Sequence, residues 1–193
     1  MKLHRTLVPV LGAGLATALA FWLDPWVWRH LSDPTVYDHD WGRLLRVMGS
    51  LVLWGPLSLA VWLETRSRRG WTLLVAPALA GGVAELLKLV IRRERPGLHD
   101  GGYVYRSFAE RPFDTHDIGF PSSHTMVAFA GAAVLARFYP RAGVLCYALA
   151  AGCALTRVLA QAHFASDVVG GGIAGWAIGF WLSRSRAGIG AAP

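Results

Sequence analysis

Two histidines, three cations, two serines and one aspartate stand out because they recur in three short runs. KLVIRRERP carries Lys88, Arg95 and Pro96, PSSH carries Pro121, Ser122, Ser123 and His124, and TRVLAQAHFASD carries Arg157, His163 and Asp167. In the first run, Lys88 and Arg95 are seven residues apart, close to two helical turns. That spacing predicts one shared face, with the two cations about 10 Å apart along the axis. Pro96 is expected to end the helix there. Taken alone, these cations also fit side chains that snorkel to anchor a helix end, a reading that suits Arg92 and Arg93 better. Glu85 is spaced to pair with Lys88.

The second run opens an apolar stretch. Unpaired amides and the positive dipole end make a helix N-terminus an anion site, and serine hydroxyls add donors. Alone, the same residues also read as a Ser N-cap with an incidental histidine. In the third run, His163 and Asp167 are expected to meet on one helical face. There the carboxylate would fix the imidazole tautomer and leave the other nitrogen free to attack. Arg157 offers a planar fork suited to phosphate. Alone, the His–Asp pair fits a structural hydrogen bond or half of a metal site equally well. A cationic pocket with a positioned nucleophile is the requirement of phosphoryl transfer, and the three runs together meet it.

These residues must be positioned by apolar elements. The 193-residue chain is 54% hydrophobic and 16% charged, with nine Trp, a balance that points to a membrane protein. A span needs roughly 20 apolar residues. Six windows meet or approach that, near residues 7–23, 47–63, 71–91, 123–139, 142–160 and 164–183. Strict apolar/polar alternation is absent, which favours helices over a barrel. The first window also resembles a secretory signal, with Ala18-Leu19-Ala20 as a cleavage-like site. Its length and its end in Trp22 and Asp24-Pro25 favour an anchored span. Ionisable groups at membrane depth are costly unless they face the interior or water, so the three runs are functional candidates.

Charge then orients the bundle. With the N-terminus inside, the cytoplasmic pieces hold nine basic residues (Lys2, Arg5, Arg66, Arg68, Arg69, Arg137, Arg141, Arg184 and Arg186) against Glu64 alone, and the remainder holds ten basic and eleven acidic residues. The positive-inside rule therefore predicts cytoplasmic termini and an extracytoplasmic site. It also explains the sequence pI of about 10.1 without nucleic acid, for which no soluble basic face exists. Arg outnumbers Lys seventeen to two, as in GC-rich bacterial genomes, which would make the membrane a bacterial inner membrane. Cytoplasmic turns are short, at Glu64–Gly70 and Tyr139–Arg141. Two long outer segments remain, Asp24–Arg46, which reads as interfacial, and Arg92–Pro121, too polar for the bilayer core. Cys146 and Cys153 lie too far apart on one helix to pair and are expected to be inert core residues.

On these residues the sequence resembles the type-2 phosphatidic acid phosphatase family, whose fold is shared with vanadium haloperoxidases. The family pattern is Lys, six residues, Arg-Pro, then Pro-Ser-Gly-His, then Ser-Arg, five residues, His, three residues, Asp. Lys88, Arg95 and Pro96, then Pro121, Ser122 and His124, then Arg157, His163 and Asp167 match in order and spacing, between residues 88 and 167. Ser123 replaces the family glycine, which would crowd a phosphate if that position required glycine geometry, and Thr156 replaces the family serine. The resemblance implies an all-α, six-transmembrane-helix bundle forming one domain over residues 1–193. It implies His163 as nucleophile, Asp167 as its orienting carboxylate and His124 as general acid. Lys88, Arg95, Arg157, Ser122 and Ser123 would hold the phosphate.

The resemblance also implies hydrolysis of a membrane lipid phosphate or diphosphate through a phosphohistidine, with no metal and no other cofactor, and with lipid as the partner. A lipid phosphotransferase would use the same intermediate with an acceptor other than water. An anion channel or a silent anion-binding protein would use the cations without covalent chemistry. His99, Asp100, His116 and Asp117 are the ligands a metal site would recruit, and they are expected instead to be solvated or to shape the headgroup entrance.

Overall fold

A computed structural model describes residues 2–185, and side chains over 9–184. Lys2 and Arg5 have no described side chains and Arg186 lies outside the described residues, so three of the nine orienting charges stay at the level of sequence. Seven helices follow in order: α1 (Lys2–His30), α2 (Asp40–Val47), α3 (Leu51–Thr65), α4 (Arg68–Ile91), α5 (Ser123–Phe138), α6 (Gly143–Leu159) and α7 (Ala165–Ser185). Strand pairing among the described residues is limited to two isolated antiparallel bridges in the long segment after α4.

The expected windows all become helices, with shifted ends. α1 runs on through Pro25 to His30, so Asp24 is helical rather than the start of a loop. The turn between α3 and α4 is tighter than expected. Arg66 adopts φ 46°, and the Ser67 hydroxyl accepts from the amide of Arg69, so Glu64 and Gly70 both lie inside helices. Phe138 ends α5 and Pro140 opens a single 3₁₀ turn. By length and composition α1, α4 and α6 can each cross a membrane, and α2 with α3, bent by 62°, forms a fourth candidate. Leu11, Leu15, Leu19 and Trp22 of α1 are exposed in a stripe, as a lipid-facing surface would be.

α5 is the central helix. From Thr125 to Val134 nearly every residue is buried, because α4, α6 and α7 pack around it. Its partner α7 presents Gly171, Gly175 and Gly179 at four-residue intervals. A Cβ on Gly175 would lie 2.2 Å from the Met126 carbonyl oxygen, and one on Gly179 would lie 2.3 Å from that of Ala130. Small residues in register let two backbones meet this closely. Asp167 is one step earlier in the same series, so the approach of α7 to α5 delivers it to the first turn of α5, where the Ser122 amide donates to its carbonyl at 3.2 Å. On the other side Trp54 of α3 is fully buried and lies over Gly131, where a Cβ would sit 2.3 Å from the indole.

Candidate active site

The C-terminal ends of α4 and α6 and the N-terminal ends of α5 and α7 meet at one end of the bundle. His163 is on the connection between α6 and α7, just before the first helical residue of α7. The expected meeting on one helical face is corrected here: the imidazole and Asp167 face each other across a helix N-terminus. Nδ1 of His163 lies 3.5 Å from Asp167 Oδ2, so Nε2 is the nitrogen turned away. Oδ2 also accepts from the Phe164 amide at 2.7 Å. In this the aspartate acts like the third residue of a capping box, reaching back to the amide that precedes its helix. Burial takes the His163 imidazole down to about 4, against the pull of Asp167, with Arg157 and Arg95 adding to the depression. The ring is therefore neutral at physiological pH.

Three cations lie at the same end of the bundle. Lys88, buried near the end of α4, donates to Glu85 Oε1 at 2.8 Å and to Ser123 Oγ at 3.0 Å. Arg157, buried in the last turn of α6, donates to the Tyr37 hydroxyl at 2.8 Å. Arg95 reaches the site differently from expectation. α4 stops at Ile91, Arg92 takes a left-handed conformation at φ 57°, and Arg95 follows in extended backbone. Lys88 and Arg95 therefore do not share a helical face; the chain turns back to bring Arg95 in. The Nε atoms of Arg95 and Arg157 are buried without an acceptor, and such cations are costly until an anion meets them. Arg95 and Arg157 act electrostatically on Lys88 and on His163, and Arg157, His163, Arg46 and Lys88 all act on His124. Lys88, Arg95, Arg157, His124 and His163 thus lie near enough to one another to interact electrostatically.

At the start of α5, Ser122 is fully buried. Its hydroxyl accepts from Thr125 at 3.1 Å. The amides of Ser123, His124 and Thr125 have no carbonyl a turn earlier, as in any helix N-terminus. Ser123 is helical, with no positive φ, so this position does not demand glycine, and its hydroxyl serves Lys88. His124 is packed from behind, since a Cβ on Gly49 would lie 2.6 Å from the Cβ of His124.

The snorkelling reading of Arg92 and Arg93 is wrong, since both are buried, at 2% and 1% exposure. The Arg92 guanidinium donates to the carbonyls of Arg106, Ser107, Glu110 and Pro112 at 2.5–3.3 Å, gathering the long segment around itself. Arg93 donates through Nη2 to Asp167 Oδ1 and to Ser166 Oγ, inside a box of Phe21, Tyr103, Phe120 and Phe164 at 4.9–5.2 Å. Sequence reasoning also missed Tyr37, which ties Arg157 to the α1–α2 connection and carries Arg46 over its ring at 4.7 Å. The one available signal was the crowding of four aromatics into the flanking segment.

In the long segment after α4, His99 pairs with Glu94, and His116 faces Asp117 at 2.8 Å. Asp117 also meets Arg106 and Arg111, each at 3.5 Å. Glu94 and Asp117 thus hold the loop together by ion pairs. Among the described residues no three His, Cys, Asp or Glu side chains gather as a metal-ligating set. Cys146 and Cys153 are free and buried.

The family model of the PAP2 superfamily matches residues 69–189, and so includes every run that builds this end of the bundle. The chain belongs to the PAP2 superfamily. Two relatives are the lipid A 1-phosphatases of Rhizobium johnstonii and Rhizobium etli. Each is 38% identical over 116 residues, covering 59% of this chain and 45% and 47% of the relatives. The match thus spans about half the length of those curated proteins. Among solved structures, the transmembrane PAP2-type phosphatidylglycerolphosphate phosphatase from Bacillus subtilis superposes with a TM-score of 0.60 at 17% identity. That superposition covers 92% of this chain and 99% of the other, and it establishes a shared PAP2 fold.

Proposed function

We propose that this chain is an integral membrane phosphatase that hydrolyses a lipid phosphate through a phosphohistidine, at the extracytoplasmic face. The observation that carries the reading is the gathering of Lys88, Arg95 and Arg157, with the α5 N-terminus, near two imidazoles, one of which a buried carboxylate faces at 3.5 Å. The charge asymmetry of the connections supports the sidedness. The two lipid A 1-phosphatase relatives make a glycolipid phosphate the first substrate to assay.

In the first half-reaction the Nε2 lone pair of His163 attacks phosphorus. The phosphorus–oxygen bond to the lipid breaks, and His124 gives its proton to the departing oxygen. A phosphate dianion beside His124 favours the protonated ring. Arg95, Arg157, Lys88 and the α5 amides hold the equatorial oxygens as charge shifts among them. Asp167 stabilises the positive charge that develops on the His163 ring. In the second half-reaction His124 takes a proton from water, whose oxygen displaces His163 and releases inorganic phosphate.

The test is phosphate release by purified protein from a panel of lipid phosphates in mixed micelles, with His163→Ala alongside. The expected outcome is turnover that falls by about 10⁶-fold in the variant, as when other nucleophiles are deleted. Turnover surviving in His163→Ala would end the reading. Label from the lipid appearing in an added lipid acceptor rather than in inorganic phosphate would mark a transferase.

A further inference from the structure

Asp24 lies on α1, outside the matched family segment, and is 1% exposed. Its carboxylate is committed on both oxygens. Oδ1 accepts the Ser166 amide at 2.9 Å, and Oδ2 accepts the Ser166 hydroxyl and the Tyr103 hydroxyl, the latter at 2.7 Å. Ser166 is the second residue of α7, so the acid fills an amide that has no intrahelical partner and sits at the positive end of that helix's dipole. Because the Ser166 hydroxyl gives its proton to Asp24, its lone pairs face Arg93, whose Nη2 bonds both Ser166 Oγ and Asp167 Oδ1. Asp167 in turn faces the His163 ring.

We propose that Asp24 is a positioning residue for the reaction, acting through Ser166 and Arg93 on the Asp167–His163 pair; this rests on the phosphohistidine reading above. Three further features converge on it. Asp24 and His163 line the same small void between α1 and the α6–α7 connection. Phe21, one turn before Asp24, supplies one wall of the Arg93 box. Pro25 has no amide proton, which leaves the Phe21 carbonyl without its usual helical partner, and the Tyr103 hydroxyl lies 3.3 Å from that oxygen. The C-terminal part of α1 is thus tied to the long segment and to α7 beside the Asp167–His163 pair. An anchoring role alone would require only the amide bond to α7. The hydroxyl bond adds a direction for Ser166, and through it a fixed partner for Arg93.

The experiment compares Asp24→Asn, Asp167→Asn and the double variant, all full length in detergent, for kcat and KM on the lipid phosphate that the parent chain turns over. Vanadate affinity, read by tryptophan fluorescence, is measured beside them. Asparagine keeps the shape and one acceptor but presents donors to two hydroxyls. Asp24→Asn is expected to lower kcat roughly 10- to 100-fold, as loss of a supporting carboxylate does elsewhere, with KM within about twofold and vanadate affinity reduced. The double variant should cost far less than the product of the singles, because both break one relay. Tyr103→Phe, which removes one bond to Asp24 and leaves Ser166 in place, should lose less than Asp24→Asn.

A folded Asp24→Asn protein with parental kcat and vanadate affinity would overturn the proposal. So would strict multiplicativity in the double variant, or a loss confined to thermal stability. A parent chain that neither releases phosphate from any lipid nor binds vanadate would instead bring down the phosphohistidine reading itself.

Discussion

Helices α5 and α7 meet along their length by two opposite devices. Through the middle of the bundle the contact is made of missing side chains, Gly175 and Gly179 against the carbonyls of Met126 and Ala130. At the end that holds His163 it is made of buried polar groups: Asp167, Arg93, Ser166 and Ser122 are all within 1% of full burial. Close packing of small residues tolerates no intruding atom but needs no partner. A buried ion pair tolerates no missing partner, since removing one member strands the other. The glycine stripe therefore sets how near the two helices lie through the middle of the bundle, and the polar end positions the His163 imidazole by its own buried partners.

The largest effect is expected at Asp167. Asp167→Asn leaves the contact shape but strands Arg93 and unfixes His163, and kcat is expected to fall roughly 100- to 10,000-fold, the range seen when a buried orienting carboxylate is neutralised. A fall below threefold in steady-state phosphate release would mean that Asp167 only caps α7. Gly175→Val tests the other device. The new side chain would collide with the Met126 carbonyl, and a loss of about 1–3 kcal/mol or more is expected from overpacking. It would be read as a lowered thermal transition in detergent, with kcat per folded molecule kept. A kcat collapse without loss of stability would show that the stripe sets the catalytic geometry directly.

Two smaller effects sharpen the polar end. Since burial holds the His163 imidazole down at about 4, the ring stays uncharged as pH falls through about 6.5, where a solvated histidine gains its proton. As kcat/KM reports the free enzyme, its His163-dependent limb should keep more than half the plateau down to about pH 5; a midpoint near the solvated value would mean an open site. Ser123→Gly restores the family residue and removes an acceptor from Lys88, leaving Glu85. A net hydrogen bond is worth about 1 kcal/mol, so KM should rise by less than tenfold. A rise in kcat would instead mark Ser123 as an obstruction.

How much could be read in advance differs by residue. That Lys88, Ser123, His124, Arg157, His163 and Asp167 belong to one group could be anticipated, because motif spacing is local and their elements are short, regular and apolar; the structure brings them to the same end of the bundle. The geometric reasons given for two pairs were nevertheless wrong. Lys88 with Arg95, and His163 with Asp167, are spaced as helical neighbours, yet in each pair one member lies beyond a helix end. Helical periodicity says nothing about where the chain leaves the helix. Arg93 was misjudged because a cation near a helix end looks the same in sequence whether it faces headgroups or a buried carboxylate.

Residue type and short spacing alone made the apolar helices legible and singled out the three polar runs between them. Only the tertiary structure decided which buried charges are paired. Arg93 finds Asp167 across 74 residues and Asp24 finds Ser166 across 142. Such partners are chosen by which helix ends the packing brings within about 3 Å, a distance over which a hydrogen bond is made or lost.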